Sequence, residues 1–186
     1  MKQWFALSAI GKDRPGIVAD LAELIYECDC NLEDSSMMLL GGEFAVLLVL
    51  SGAGHGLGER LRAACKRLEW ERRLTVFIRP LEGEPMSYGT DEVRMPFQLH
   101  AVGVDKAGIV ARICRCLADR RINITRLQSH SRPQPETGTP IYDMRIQLDV
   151  PASTDDAGLR RELEEVAASM NVEVTLERLP DVGPRA

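Results

Sequence analysis

The sequence predicts an α+β protein built from two copies of one β-α-β-β-α-β unit, each a four-stranded antiparallel sheet with both helices on one face. Three observations carry this. The segment Phe5 to Ala19 lines up with Phe97 to Ala111 at a constant offset of 92, with Phe, Leu, Ala, Gly, Asp, Gly, Ile, Val and Ala recurring in place. Within each copy, apolar runs of period two alternate with apolar stripes of helical period. Glycine and proline mark the joins between them. The offset also sets Asn31-Leu32 on Asn123-Ile124, so it passes through a whole helix without a gap.

Each copy opens with a strand that buries one face, Phe5, Leu7 and Ala9 in the first and Phe97, Leu99 and Ala101 in the second. A turn leads into a helix. Ile17, Leu21, Leu24, Ile25 and Cys28 form its apolar stripe, repeated by Ile109, Ile113, Cys116 and Leu117, with Asp20, Glu23 and Glu27 on the wet face. Pro15 is expected in the first helical turn, where its missing N–H costs nothing. Two strands, Asn31 to Leu40 and Glu43 to Ser51, flank Gly41-Gly42, a hairpin turn signal. Their counterparts run from Ile122 to Ser131 and from Ile141 to Val150. The second helices carry Leu57, Leu61, Cys65 and Leu68, and Leu159, Leu163, Val166 and Met170. Leu74 to Ile78 and Val172 to Leu176 supply the closing strands. This is the ferredoxin-like pattern. The expected boundaries are 1–80 for the first domain, 81–93 for a breaker-rich linker, 94–180 for the second domain and 181–186 for a tail.

One asymmetry stands out. Residues 132–140, with three prolines, replace the Gly41-Gly42 turn and read as a projecting loop rather than longer strands.

Composition bounds the function. At 45% hydrophobic and 27% charged residues the chain is an ordinary globular protein. A net charge of −5 argues against direct binding of nucleic acid, which needs a clustered basic footprint. The absence of a long apolar run and of a signal-peptide pattern gives a cytoplasmic expectation, with no membrane partner. The five cysteines are odd in number and lack zinc spacing, so Cys28, Cys30, Cys65, Cys114 and Cys116 read as small buried hydrophobes. His55, His100 and His130 never fall at metal-ligand spacing. His130-Ser131, beside the long loop, is kept as a polar contact to a partner. Asp155-Asp156 favour the dipole of the last helix. No catalytic residues, metal or cofactor are assigned.

The turn after each first strand is the candidate site. Gly11-Lys12-Asp13-Arg14-Pro15-Gly16 and Gly103-Val104-Asp105-Lys106-Ala107-Gly108 combine close backbone approach with a helix N-terminus that suits a carboxylate. Asp13 or Asp105 would meet an ammonium group. Together these are the two needs of a free amino acid. The plainer alternative is that both aspartates cap their helices while the glycines shape the turn.

Asp13-Arg14-Pro15-Gly16-Ile17-Val18, the helix after it and Cys30-Asn31-Leu32 resemble the signature of ACT domains. The resemblance implies amino-acid binding where two ACT units pack side by side, at the loop before the first helix and the Asn that begins the second strand. It marks Gly11, Asp13, Arg14, Gly16 and Asn31 as ligand-binding in the first copy, and Gly103, Asp105, Gly108 and Asn123 in the second. Lys106-Ala107 in place of Arg14-Pro15 departs from the pattern. Tandem units over nearly the whole chain resemble the glycine cleavage system transcriptional repressor family. That implies a non-enzymatic repressor, glycine as signal, a DNA-bound transcription activator as partner, and a homo-oligomer through sheet or helix faces. The competing readings are a regulatory module of an amino-acid metabolic enzyme and, well below, an enzyme of unread mechanism. The first turn is expected to be the better ligand site and the second copy's loop the better partner surface. Trp4, opposite Phe5 in the alternation, is expected on an uncovered, partly apolar sheet face.

Overall fold

The computed structural model describes residues 2–85 and 93–180, so the middle of the expected linker and the 181–186 tail lie outside the described residues. The chain divides into two compact units, Met1–Tyr88 and Gly89–Ala186. The first runs β1 (Lys2–Lys12), α1 (Ile17–Glu27), β2 (Cys30–Leu40), β3 (Glu43–Ala53), α2 (Leu57–Arg72) and β4 (Thr75–Leu81). The second repeats it as β5 (Arg94–Val104), α3 (Ile109–Asp119), β6 (Asn123–Pro133), β7 (Pro140–Pro151), α4 (Asp156–Ala168) and β8 (Val172–Arg178). Sheet orders are β2-β3-β1-β4 and β6-β7-β5-β8, with every pair antiparallel. Among the described residues no helix is long and apolar enough to cross a membrane.

In the first unit Phe5, Leu7 and Ala9 of β1 and Phe44, Leu48 and Leu50 of β3 face Ile17, Leu21, Leu24, Leu57, Leu61 and Cys65 of the helices. The second core repeats this with Phe97, Leu99, Ile113, Leu117, Ile146, Leu148, Leu159 and Leu163. The duplication extends to the backbone. Both edge strands carry a one-residue bulge, at Glu33 of β2 and Thr125 of β6. Both units leave their helices through non-glycine residues at positive φ, Asp29 and Arg121 after the first helices, Arg73 and Asn171 after the second.

Four details differ from the sequence reading. Helix α1 begins at Ile17, because Gly16 at φ 90° takes the left-handed cap and leaves Pro15 in the turn outside. Ala167 holds the fully buried position on α4, with Val166 packed at its margin. Strand β6 pairs through Pro133↔Pro140, so the extra loop is residues 134–139. It closes on itself through Gln134 N donating to Thr139 O at 2.8 Å and Gly138 N donating to Gln134 O at 2.8 Å. Trp4 lies on the face opposite Phe5 yet is only 8% exposed, with the Lys2 ammonium 4.3 Å from its ring centroid.

All five cysteines are free; Cys28, Cys65 and Cys116 are buried and Cys30 and Cys114 half-buried. Burial pushes the Cys65 and Cys116 thiols up to about 11.

Candidate functional site

The two turns are built by close approach. An added Cβ at Gly11 would lie 2.6 Å from Leu74 Cδ2, and at Gly103 2.7 Å from Asn171 O and 2.9 Å from Val172 Cα. The chain entering each closing strand thus crowds these glycines, with the end of a side chain at Gly11 and with backbone at Gly103. Each turn is then tied to the neighbouring hairpin: Asp13 N donates to Gly42 O at 3.0 Å, and Asp105 N donates to Pro140 O at 2.9 Å.

The aspartates do not cap the helices that follow. The N-caps are Gly16 and Gly108, at φ 90° and 99°, which bring no side chain to the free amides of the first turn. The helix starts thus keep their donors and positive dipole ends unopposed by a cap. Here the plainer sequence reading fails, because the chain between aspartate and helix is spent on the turn. Asp155 does cap α4, accepting from Ala157 N at 3.1 Å.

The turns differ in their charges. In the first, Arg14 Nη2 donates to Asp20 Oδ2, and Arg72 Nη2, from the end of α2, lies 3.3 Å from Asp20 Oδ1. Asp20 is thus the hub that holds Arg14 onto α1. Asp13 is exposed, and no hydrogen bond or ion pair engages its carboxylate among the described residues. In the second, Ser131 Oγ donates to Asp105 Oδ2 at 2.6 Å, so that carboxylate is already engaged. Arg112 stands where Asp20 stands and donates to Ser169 Oγ at 3.3 Å.

Gly11, Asp13, Arg14 and Gly16 come together, and so do Gly103, Asp105 and Gly108. Asn31 and Asn123 do not join them. Lys12 pairs with Glu43, whereas Asn31 pairs with Ser51, eight residues further along β3. At 3.3 Å per residue that separation is about 26 Å. Asn123, opposite Asp149, is placed likewise at the far end of β6.

Sequence reasoning missed the Asp20 hub and the Ser131–Asp105 bond. It also missed a cluster beside Asn31, where the fully buried Ser51 donates its hydroxyl to Glu33 and Lys2 Nζ lies 3.0 Å from Glu33 Oε1. The Ser51 hydrogen bond, and then Lys2, hold the Glu33 carboxyl below its usual range. The offset repeat offered a signal only at Glu33, which it sets on Thr125; the strand registers set Ser51 on Asp149. His100 Nε2 lies 3.3 Å from Asp143 Oδ1, and no cluster of three His, Cys, Asp or Glu suits a metal among the described residues.

These units have the architecture of a known regulatory module. The family model for the ACT domain matches residues 3–78, and the second unit repeats the same fold. Residues 3–78 are thus matched as an ACT domain, and the chain carries two units of that fold in tandem. Over most of its length it resembles the glycine cleavage system transcriptional repressor of Escherichia coli (strain K12), 23% identical over 172 residues covering 92% of this chain and 88% of that protein. Among solved structures, a protein of unknown function from Galdieria sulphuraria is 25% identical with a TM-score of 0.76, covering 97% of this chain and all of the other. A crystal structure described as a putative glycine cleavage system transcriptional repressor has a TM-score of 0.74 at 21% identity, over 96% of this chain and 98% of its own, and shares the fold.

Proposed function

We propose that this chain is a non-enzymatic, amino-acid-responsive regulator that represses glycine cleavage genes by binding a transcription activator protein, not DNA. The observation that carries the ligand half is the first turn. An unengaged Asp13 carboxylate and an uncapped α1 N-terminus stand in one short loop, a cation site next to an anion site. A free amino acid offers both charges, and glycine is the smallest that does. Because Asn31 stands at the other end of its own sheet, a ligand touching both the first turn and Asn31 takes them from two copies of the chain.

The partner half rests on resemblance and charge. The curated relative is named a transcriptional repressor, and a net charge of −5 disfavours phosphate contact. The Gln134–Thr139 tip, closed by its own hydrogen bonds, presents a preformed surface for a protein partner.

Glycine is expected to raise the thermal midpoint of the full chain by linkage. Asn31→Ala is expected to abolish that shift. No shift with any common amino acid at millimolar concentration defeats the ligand half. Recovery of a biosynthetic enzyme as the sole partner from native lysate defeats the repressor half in favour of an enzyme-regulating module.

A further inference from the structure

The helix-free face of the first sheet carries large apolar side chains in the open. Ile10, Met38, Leu47 and Phe77 are each between 52% and 63% exposed. Contiguous exposed apolar surface of this kind marks an interaction site.

The strand registers arrange the face in rows, since residues paired across antiparallel strands share a face. One row reads Ser36, Leu47, Ser8, Phe77 from β2 to β4. The next reads Met38, Ala45, Ile10, Thr75, and the one on the other side reads Asp34, Val49, Ala6, Arg79. In each row a large side chain has a small one at the mirrored position, and in the third an acid has a base.

A two-fold axis parallel to the strands, set between two such sheets, lays β2 over β4 and β3 over β1 of the other copy. Phe77 then meets Ser36 and Leu47 meets Ser8. Ile10 meets Ala45, Val49 meets Ala6, and Asp34 meets Arg79. Knobs fall on holes and opposite charges face one another, which is the self-complementarity an isologous contact requires. Aligned sheets about 10 Å apart interdigitate their side chains in this way.

We propose that the chain self-associates through this face, two copies packing first unit on first unit about a two-fold axis parallel to the strands. The equivalent face of the second unit presents Gln98, His100, Asp143, Arg145 and Gln147, so it lacks these apolar rows and their mirrored pairs. The association needs no amino acid, so it stands apart from the ligand reading.

Analytical ultracentrifugation of the full chain across the micromolar range tests it. A dimer is expected, reduced to monomer by Leu47→Glu with the far-UV circular dichroism unchanged. Asp34→Arg and Arg79→Asp alone should each weaken the dimer on the order of tenfold or more, by setting like charges face to face. Asp34→Arg combined with Arg79→Asp should restore it, and this series decides the matter even where Leu47→Glu fails to fold. A chain that stays monomeric throughout, a dimer indifferent to Leu47→Glu, or a double reversal that stays weak overturns the proposal; the first result would leave the face to a different protein.

Discussion

Phe5, Leu7, Leu48 and Leu50 of the first unit are matched by Phe97, Leu99, Ile146 and Leu148 of the second, all buried. On the opposite side of the same sheets, Ile10, Leu47 and Phe77 are matched by Val102, Arg145 and Thr175. The duplicated chain kept the face that makes the fold and let the free face diverge. Packing explains the asymmetry: an interior residue is held by many neighbours at once, whereas an exposed one answers only to its partners. The same division runs through the turns. Gly11 and Gly103 are identical, each crowded by the chain entering the closing strand, while Asp13 and Asp105 keep their identity and differ in what engages them.

The comparison is broken most forcefully at the glycines. Gly103→Ala drives a Cβ into backbone atoms that cannot move aside and is expected to cost about 3 kcal/mol. Gly11→Ala meets the end of the Leu74 side chain, which can rotate, and is expected to cost about 1 kcal/mol. Denaturant unfolding of the two variants measures the difference, and equal losses would remove the distinction between the closing strands.

Next in size is the ligand. At a hundredfold excess over Kd, one occupied site stabilises by about 2.7 kcal/mol. Asp13→Asn is expected to remove this from the glycine-dependent midpoint and Asp105→Asn to leave it intact. Ser131→Ala, which frees the Asp105 carboxylate, is expected to raise the stoichiometry seen by calorimetry if engagement alone silences the second turn.

Titration effects are smaller. The Cys65 and Cys116 thiols ionise near 9 when unfolded and near 11 when folded. Between those values the unfolded state releases protons first, so stability should fall from pH 9 to pH 11, by on the order of 1 kcal/mol per thiol. Cys65→Ala and Cys116→Ala should each flatten that slope. Glu33 works in the other direction. Its lowered folded value means that its contribution is present above the ordinary carboxylate range near 4.5 and is lost as pH falls through the folded value. Glu33→Gln should remove a slight acid sensitivity from the first unit, where the second has Thr125.

Much of this was legible in the sequence, for a physical reason. Leu57, Leu61, Cys65 and Leu68 mark α2 by their spacing alone, since one face of a helix must be apolar to pack. The two turns were visible because the chain states them twice. What escaped depends on contacts distant in sequence. Gly11 answers to Leu74 and Asp20 to Arg72. The separation of Asn31 from Asp13 follows only from the strand registers. Arg73 and Arg121 adopt positive φ with side chains that give no local sign of it.

The chain has two tryptophans, and both belong to the first unit. Trp4 is shielded under Lys2, in the cross-strand row of Ser51 and Asn31, whereas Trp70 on α2 is 89% exposed. Tryptophan emission, excited selectively over Tyr142 of the second unit, is therefore a one-sided optical reporter. A blue-shifted component should register unfolding of the first unit or occupancy near Asn31, over a red-shifted background from Trp70, while the second unit stays dark. Set against circular dichroism, which sees both, that single residue turns an ordinary melting curve into a unit-by-unit measurement.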